Sequence, residues 1–318
     1  MSEATITHST DYASWKVSIR NGLKTFHHPP EHIPDLNYQE PDDGLTEKIL
    51  SALSRVDGLP PHNVLLKGPR GSGKTIVWYR TAQILGVPLY YLGGSYGTSR
   101  GDLLGEVCPQ QDGSFGFATS ALFEAMENGA LFVFDDMDKI PESSLTPLLS
   151  VLNENRVLHS SYVGSPCANE NFMFCATANR EISNAEIRDR LSPVINVSYP
   201  SKATTEKILR SRLTKADEKW FKLFMHECKS DKLSPRYAIQ VLTFAYKMHT
   251  IAYQKGTAKN TESDILKYIR IAKGSDKKDQ EEQNSTIQKK TYGKTTKDTD
   301  GLEIFSLLSG QEQDKSKH

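Results

Sequence analysis

Apolar residues in the first 200 positions follow two alternating arrangements, short unbroken runs and helix-spaced stripes. The unbroken runs are NVLLKG (63–68), VPLYYLG (87–93), ALFVFDD (130–136), NFMFCATAN (171–179) and VINVSYP (194–200). A run that does not alternate describes a strand covered on both faces, as in a parallel sheet between two layers of helices. Between the runs, LTEKILSAL puts Leu45, Ile49 and Leu53 on one face, and TIVWYRTAQIL is also helical. ATSALFEAMENG (118–129) predicts a helix stopped by Gly129, and SSLTPLLSVLNEN (143–155) predicts another. After Pro200 the strands stop. SKATTEKILRSRL, DEKWFKLFMHE, PRYAIQVLTFAYKMHTIAY and ESDILKYIRIA predict a small all-α domain. The expected fold class is therefore α/β, a parallel sheet flanked by helices and followed by a helical domain.

The ends of the chain read differently. Tyr12, Trp15, Ile19 and Leu23 predict one short amphipathic helix. HHPPEHIPDL, beginning at His27 and His28, reads as an extended Pro-rich linker. From about Gly274 the chain turns polar and is expected to be disordered. The apolar patch GLEIFSLLSG (301–310) interrupts that tail, either as a fraying helix or as a docking peptide.

Composition narrows the function classes. The 39 Lys and Arg balance 39 Asp and Glu, so a general electrostatic grip on nucleic acid or an anionic membrane is not indicated. The four cysteines include no C-x-x-C pair and read as free thiols in a reducing compartment, hence a cytoplasmic location. Cys175, inside an apolar run, reads as a small buried residue. The N-terminus has neither the basic nor the apolar segment of a signal peptide, and no apolar stretch approaches the ~20 residues of a membrane span.

The strongest chemical signal is GPRGSGKT at 68–75, which fits G-x-x-x-x-G-K-[ST] at every fixed position between a strand and a helix. Gly68, Pro69, Arg70, Gly71, Ser72 and Gly73 form a loop whose backbone N–H groups can turn inward around phosphate oxygens. The helix N-terminus adds its positive end. Lys74 reaches the β- and γ-phosphates, and Thr75 offers its hydroxyl to Mg²⁺. Asp135 and Asp136 end the strand LFVF. Asp135 fits a carboxylate serving Mg²⁺, and Asp136 one that polarises the attacking water. Asn179, ending the next strand, can orient that water or contact the γ-phosphate without adding charge. Arg188 and Arg190 follow, and either can face a neighbouring subunit's nucleotide. Ser234 and Pro235 suit a helix start, which carries Arg236 towards the γ-phosphate.

This order of P-loop, acidic strand end, Asn strand end, arginines and a Ser-Pro-Arg helix resembles AAA+ ATPases. TSRGDLLGE (98–106), GSFGF (113–117), ALFEAMENGALFVFDDMDKIP (121–141), LLSVLNENRVL (148–158), FCATAN (174–179) and LSPR (233–236) are similar to the MoxR and dynein-related branch. The resemblance covers roughly residues 36–273. It implies a P-loop NTPase fold with an N-terminal extension (1–40), an α/β nucleotide-binding domain (41–200), a helical lid (201–273) and a tail (274–318). It further implies Walker A at Gly68 to Thr75, Walker B at Asp135 and Asp136, sensor 1 at Asn179, an arginine finger at Arg190 or else Arg188, and sensor 2 at Arg236. GEVCPQQDGSFGF resembles the pore-facing insert of the second helix, and HSSYVGSPCANE (159–170) the hairpin before sensor 1. Two positions depart from the family: Asp136 stands where Glu is usual, and Arg180 stands where Pro is frequent.

The resemblance implies an ATPase using ATP and Mg²⁺, assembled with itself as a ring, by resemblance a hexamer. It implies action on a protein client, with a von Willebrand A-domain protein as partner. Two alternatives share the fold. One is an ATP-binding assembly or scaffold protein with weak hydrolysis, suggested by the short Asp136. The other is a chelatase subunit or a nucleic-acid motor, and the neutral charge argues against the motor.

Overall fold

The computed structural model describes residues 4–6, 15–20, 23–41, 43–109, 112–161, 164–228 and 233–274, with side chains from His28 onward. The polar tail and its apolar patch at 301–310 lie outside these residues.

Three strands, β1 (Ala4–Ile6), β2 (Trp15–Arg20) and β3 (Leu23–His27), form an antiparallel meander. The amphipathic helix expected through Trp15, Ile19 and Leu23 is thus replaced by strands, while Tyr12 lies outside the described residues. The competing signal is visible in the sequence: Trp15, Val17 and Ile19 alternate with Lys16, Ser18 and Arg20. Asn-Gly at 21–22 then separates Arg20 from its register partner Leu23. An Asn-Gly pair between alternating segments is the strongest short-range hairpin signal, and here it outweighs the helical spacing. His28, expected in a loop, exchanges both backbone hydrogen bonds with Leu89 (2.9 and 2.8 Å) and is buried. The Pro-rich stretch after it contains a 3₁₀ turn, Pro30–His32, rather than extended chain throughout.

Next come α1 (Leu45–Leu53), β4 (Val64–Lys67), α2 (Lys74–Leu85), β5 (Leu89–Gly93) and the short α3 (Gly101–Leu104). A hairpin of β6 (Glu106–Pro109) and β7 (Phe115–Ala118) leads to α4 (Ala121–Asn128) and β8 (Leu131–Asp135). Ser120 caps α4 by accepting from Phe123 N at 3.0 Å, and Gly129 ends it in the left-handed region. The single helix expected over 143–155 is two short ones, α5 (Glu142–Leu145) and α6 (Leu148–Val151). Pro147 lies between them; its ring removes a backbone donor and interrupts the turn. Then follow β9 (Met173–Ala178), α7 (Ala185–Asp189) and β10 (Val194–Asn196).

The five strands β10-β4-β9-β8-β5 form one sheet, parallel throughout. Alternate residues of β8 fill two cores. Phe132 and Phe134 pack with Phe174, Leu122 and Leu148 on one face, while Leu131 and Val133 pack with Leu66, Trp78 and Cys175 on the other. This two-sided burial is why the strands lack alternation. In a parallel sheet every strand delivers its C-terminal residue to the same edge, where ligands bind. Lys67, Asp135 and Ala178 therefore lead into one cluster of loops.

Four helices, α8 (Lys202–Arg212), α9 (Glu218–Glu227), α10 (Pro235–Gln254) and α11 (Glu262–Lys273), match the all-α pattern read after Pro200. Trp220 anchors α9, meeting Tyr246 and His249 of α10 edge-on at 5.3 and 5.2 Å. Contacts group Met1–Ile269 into one compact unit and Arg270–His318 into another; of the latter the described part is the end of α11 and Gly274.

Candidate functional site

The loop from Gly68 to Gly73 joins β4 to α2, as its glycine spacing predicts. Gly71 (φ +76°) and Gly73 (φ +100°) occupy backbone conformations that other residues adopt only under strain. Space is equally restrictive at Gly71, where a Cβ would lie 2.4 Å from Ser234 Oγ. The loop therefore needs glycine both to turn and to let Ser234 and Arg236, at the start of α10, approach.

Lys74 is buried at the first turn of α2, and its Nζ donates to Gly68 O, Pro69 O and Asn179 Oδ1, each at 2.9 Å. Burial lowers the Lys74 pKa, against the opposing charges of Asp136, Asp135 and Asp138. One ammonium thus spans from the loop to the end of β9. Ser72 Oγ, also buried in the loop, has no hydrogen-bond partner.

Asp135, last residue of β8, is surrounded by hydroxyls. Thr75 Oγ1 lies 3.0 Å from both carboxylate oxygens, Tyr91 OH donates to Oδ2 at 2.7 Å, and Thr177 Oγ1 donates to Oδ1. Burial, and then the charge of Asp135, raises the Tyr91 phenol above its ordinary value and keeps it a donor. Asp136 follows in the left-handed region (φ 53°, ψ 41°) and starts a 3₁₀ turn. Its backbone N–H donates to Thr177 Oγ1 at 2.9 Å. Asn179 Nδ2 donates to Asp136 Oδ1 at 2.6 Å, and Lys139 Nζ pairs with Oδ2. Burial opposes ionisation of Asp136, but the hydrogen bonds from Lys139 and Asn179 outweigh it and hold the carboxyl below its usual range. Asp138 fixes Asn179 in turn, accepting from its backbone N–H at 3.0 Å.

These residues open onto a cavity of about 500 Å³. Gly71, Gly73, Lys74, Thr75, Asp135, Asp136 and Asn179 line one side of it, and Arg236 with Ile239 and Gln240 of α10 the other. Leu36 to Gln39 close a further side, where Arg212 Nη2 donates to Leu36 O at 2.6 Å. Ser234 occupies the N-cap position of α10 as read from the sequence, but its side chain makes no capping bond and faces the P-loop instead.

The other two arginines are elsewhere. Arg188 Nη1 donates to Ile182 O at 3.3 Å, and Arg190 donates to Asn153 Oδ1 at 2.7 Å and Glu186 O at 2.6 Å. Neither lines the cavity. Tyr91, Thr177, Lys139 and Asp138 contact the site without having been singled out from the sequence. Thr177 and Asp138 flank the motif positions and carried a weak signal; Tyr91 carried none, because only the β5–β8 register reveals its neighbour.

A polyphosphate with a hard cation fits this chemistry. The Lys74 ammonium and the start of α2 are donors that line the cavity and suit anionic oxygen, and the buried Ser72 hydroxyl beside them has no partner. Thr75 and Asp135 supply two oxygen donors side by side, which suits Mg²⁺, a cation that retains waters and takes the rest of its shell from phosphates.

The parallel sheet, the loop after its β4 strand and the helices that follow it define the P-loop NTPase fold of AAA+ type. Residues 63–194 match the family model described as AAA domain (dynein-related subfamily). The fold is similar to the Holliday junction branch migration motor RuvB of Thermotoga maritima, with a TM-score of 0.52 at 16% identity over 73% of this chain and 70% of that one. A single-substitution mutant of that RuvB gives a TM-score of 0.55 at 16% identity, over 73% and 71% of the two chains. In sequence, an uncharacterised protein of Staphylococcus epidermidis is 28% identical over 106 residues, 32% of this chain. The match spans 40% of that relative's length.

Proposed function

We propose that this chain binds Mg²⁺-ATP and hydrolyses it, as a MoxR-like ring ATPase that remodels, matures or activates a protein client. The supporting observation is the convergence of Lys74, Thr75, Asp135, Asp136 and Asn179 on a single cavity faced by Arg236. In this reading the loop from Gly68 to Gly73, with Pro69, Arg70 and Ser72, wraps the phosphates and Lys74 neutralises them. Thr75 and Asp135 serve Mg²⁺, which when bound polarises the phosphoryl oxygens. Asp136 takes the proton of the attacking water, and Asn179 keeps that carboxylate and the water aligned. Arg236 links the phosphate end of the cavity to the helical domain 201–273. Arg190, or in its place Arg188, reaches a neighbouring subunit's nucleotide. The ring is a hexamer in the cytoplasm, and a von Willebrand A-domain protein is the partner implied. No described helix is long and apolar enough to cross a membrane.

Steady-state ATPase assays with Lys74→Ala test the reading, together with sizing of the protein with and without nucleotide. Turnover should vanish with the substitution, and ATP should promote a larger species. Turnover that survives Lys74→Ala refutes it.

One observation favours a second reading, a nucleotide-gated assembly with weak hydrolysis. Both carboxylate oxygens of Asp136 are engaged, by Asn179 and Lys139, and Asp is one methylene shorter than Glu. ATP-dependent assembly without appreciable turnover would select it. The likeness to a Holliday junction branch migration motor extends to the fold alone, and turnover stimulated by DNA would redirect the choice of client from protein to nucleic acid.

A further inference from the structure

Three hydroxyls from three elements meet the Asp135 carboxylate, and only Thr75, at the start of α2, belongs to the 68–75 motif. Thr75 lies at 3.0 Å from each carboxylate oxygen and so does not distinguish the two ends. Thr177 holds Oδ1 and Tyr91 holds Oδ2. The terminal torsion of a carboxylate is broad and sets no orientation by itself. When the Thr75 hydroxyl turns to a cation, Thr177 and Tyr91 are the groups left to fix the plane of Asp135.

The sheet register explains how Tyr91 arrives there. Tyr91 is paired with Val133 on β8, two residues before Asp135 and therefore on the same sheet face. The position opposite Asp135 is Gly93. A Cβ on Gly93 would already touch the tyrosine, 3.6 Å from Cε1 and 3.8 Å from the hydroxyl oxygen. A longer side chain there would contest the space the phenol crosses. Tyr90, the adjacent residue, faces the opposite side, where its OH accepts from Asn128 Nδ2 at 3.0 Å.

We propose that Tyr91 is a positioning residue for the metal, setting Mg²⁺ affinity by fixing the Oδ2 end of Asp135. The inference rests on the reading of Asp135 as the carboxylate that serves Mg²⁺-nucleotide. Groups that orient a metal ligand from behind typically contribute 10- to 100-fold in metal affinity.

The test measures binding of the fluorescent analogue methylanthraniloyl-ATP to the full chain, once in EDTA and once at fixed free Mg²⁺. Wild-type protein should bind more tightly with Mg²⁺. In Tyr91→Phe this tightening should shrink about tenfold while affinity in EDTA stays the same. Tyr90→Phe should match wild type in both conditions. Tyr91→Leu replaces the phenylalanine variant if that chain fails to fold, and the same loss is expected. An undiminished Mg²⁺ effect, or an equal fall in EDTA, overturns this inference alone. A wild-type chain that binds no nucleotide overturns it together with the reading beneath it.

Discussion

The cavity around Lys74 and the surface around Arg190 are built on opposite terms. Around the cavity, three charged groups are held by partners from distant parts of the chain: Lys74 by Asn179, Asp135 by Tyr91 and Thr177, Asp136 by Asn179. Such long-range networks preorganise a site, because the fold and not the ligand fixes the orientation of each group. Arg188 and Arg190 make short-range bonds near α7, to Ile182 O and Glu186 O, with Asn153 the one remote partner. They sit outside the cavity. The difference teaches that one chain can assemble the cavity unaided, Arg236 included, whereas Arg188 or Arg190 can meet a nucleotide only on a second copy of the chain. Ring assembly is the proposed way of supplying it.

Substitutions on the two sides should therefore fail differently. Lys74→Ala, the most damaging, should abolish both nucleotide binding, read by calorimetry, and turnover, read by phosphate release. Arg190→Ala should leave binding by the isolated chain unchanged and lower kcat on the order of 1,000-fold, the scale of an arginine supplied in trans. If Arg188→Ala shows that pattern and Arg190→Ala does not, the finger moves by two residues and the comparison stands. Equal losses of binding for Lys74→Ala and Arg190→Ala would erase the distinction between the halves. Asp136→Asn should cost kcat roughly 100-fold or more with nucleotide still bound, as expected for a lost proton acceptor. Gly71→Ala should destabilise the fold by about 1–3 kcal/mol through its left-handed backbone. That cost is read as a lower Tm, and nucleotide-dependent docking of the helical domain should weaken with it. A Tm equal to wild type would show that the loop tolerates a side chain against Ser234. The smallest effect belongs to Asp136→Glu, expected to raise kcat modestly; an unchanged low rate would mean carboxylate length is not limiting.

The parts legible in the sequence were those set by local pattern. Because burial on both faces removes alternation, each of the five strands of the parallel sheet lies inside the run that predicted it, although β10 stops four residues before the end of its run. The loop at 68–75 was legible because its glycines serve a conformation that few other residues adopt. The misses came from competing signals or from register. Helical spacing through Trp15 and Ile19 masked a two-residue period ending in Asn-Gly, and the stripe across 143–155 passed over Pro147. Tyr91 could not be found in one dimension, since its role depends on β5 lying beside β8 with Gly93 opposite Asp135. The arginines show the opposite limit: their place after Asn179 marked them, yet within one chain they meet Ile182, Asn153 and Glu186 and not the cavity.

The most direct measurement mixes two disabled chains, Lys74→Ala and Arg190→Ala, and follows ATP turnover as the mixing ratio changes. The Arg190→Ala chain retains the phosphate cradle, and the Lys74→Ala chain retains the arginine. Turnover should reappear in the mixture and peak at intermediate ratios, as each intact cradle gains an arginine from its neighbour. Mixed assemblies that form, by sizing, yet remain as inactive as either chain alone would contradict the division of the site between subunits.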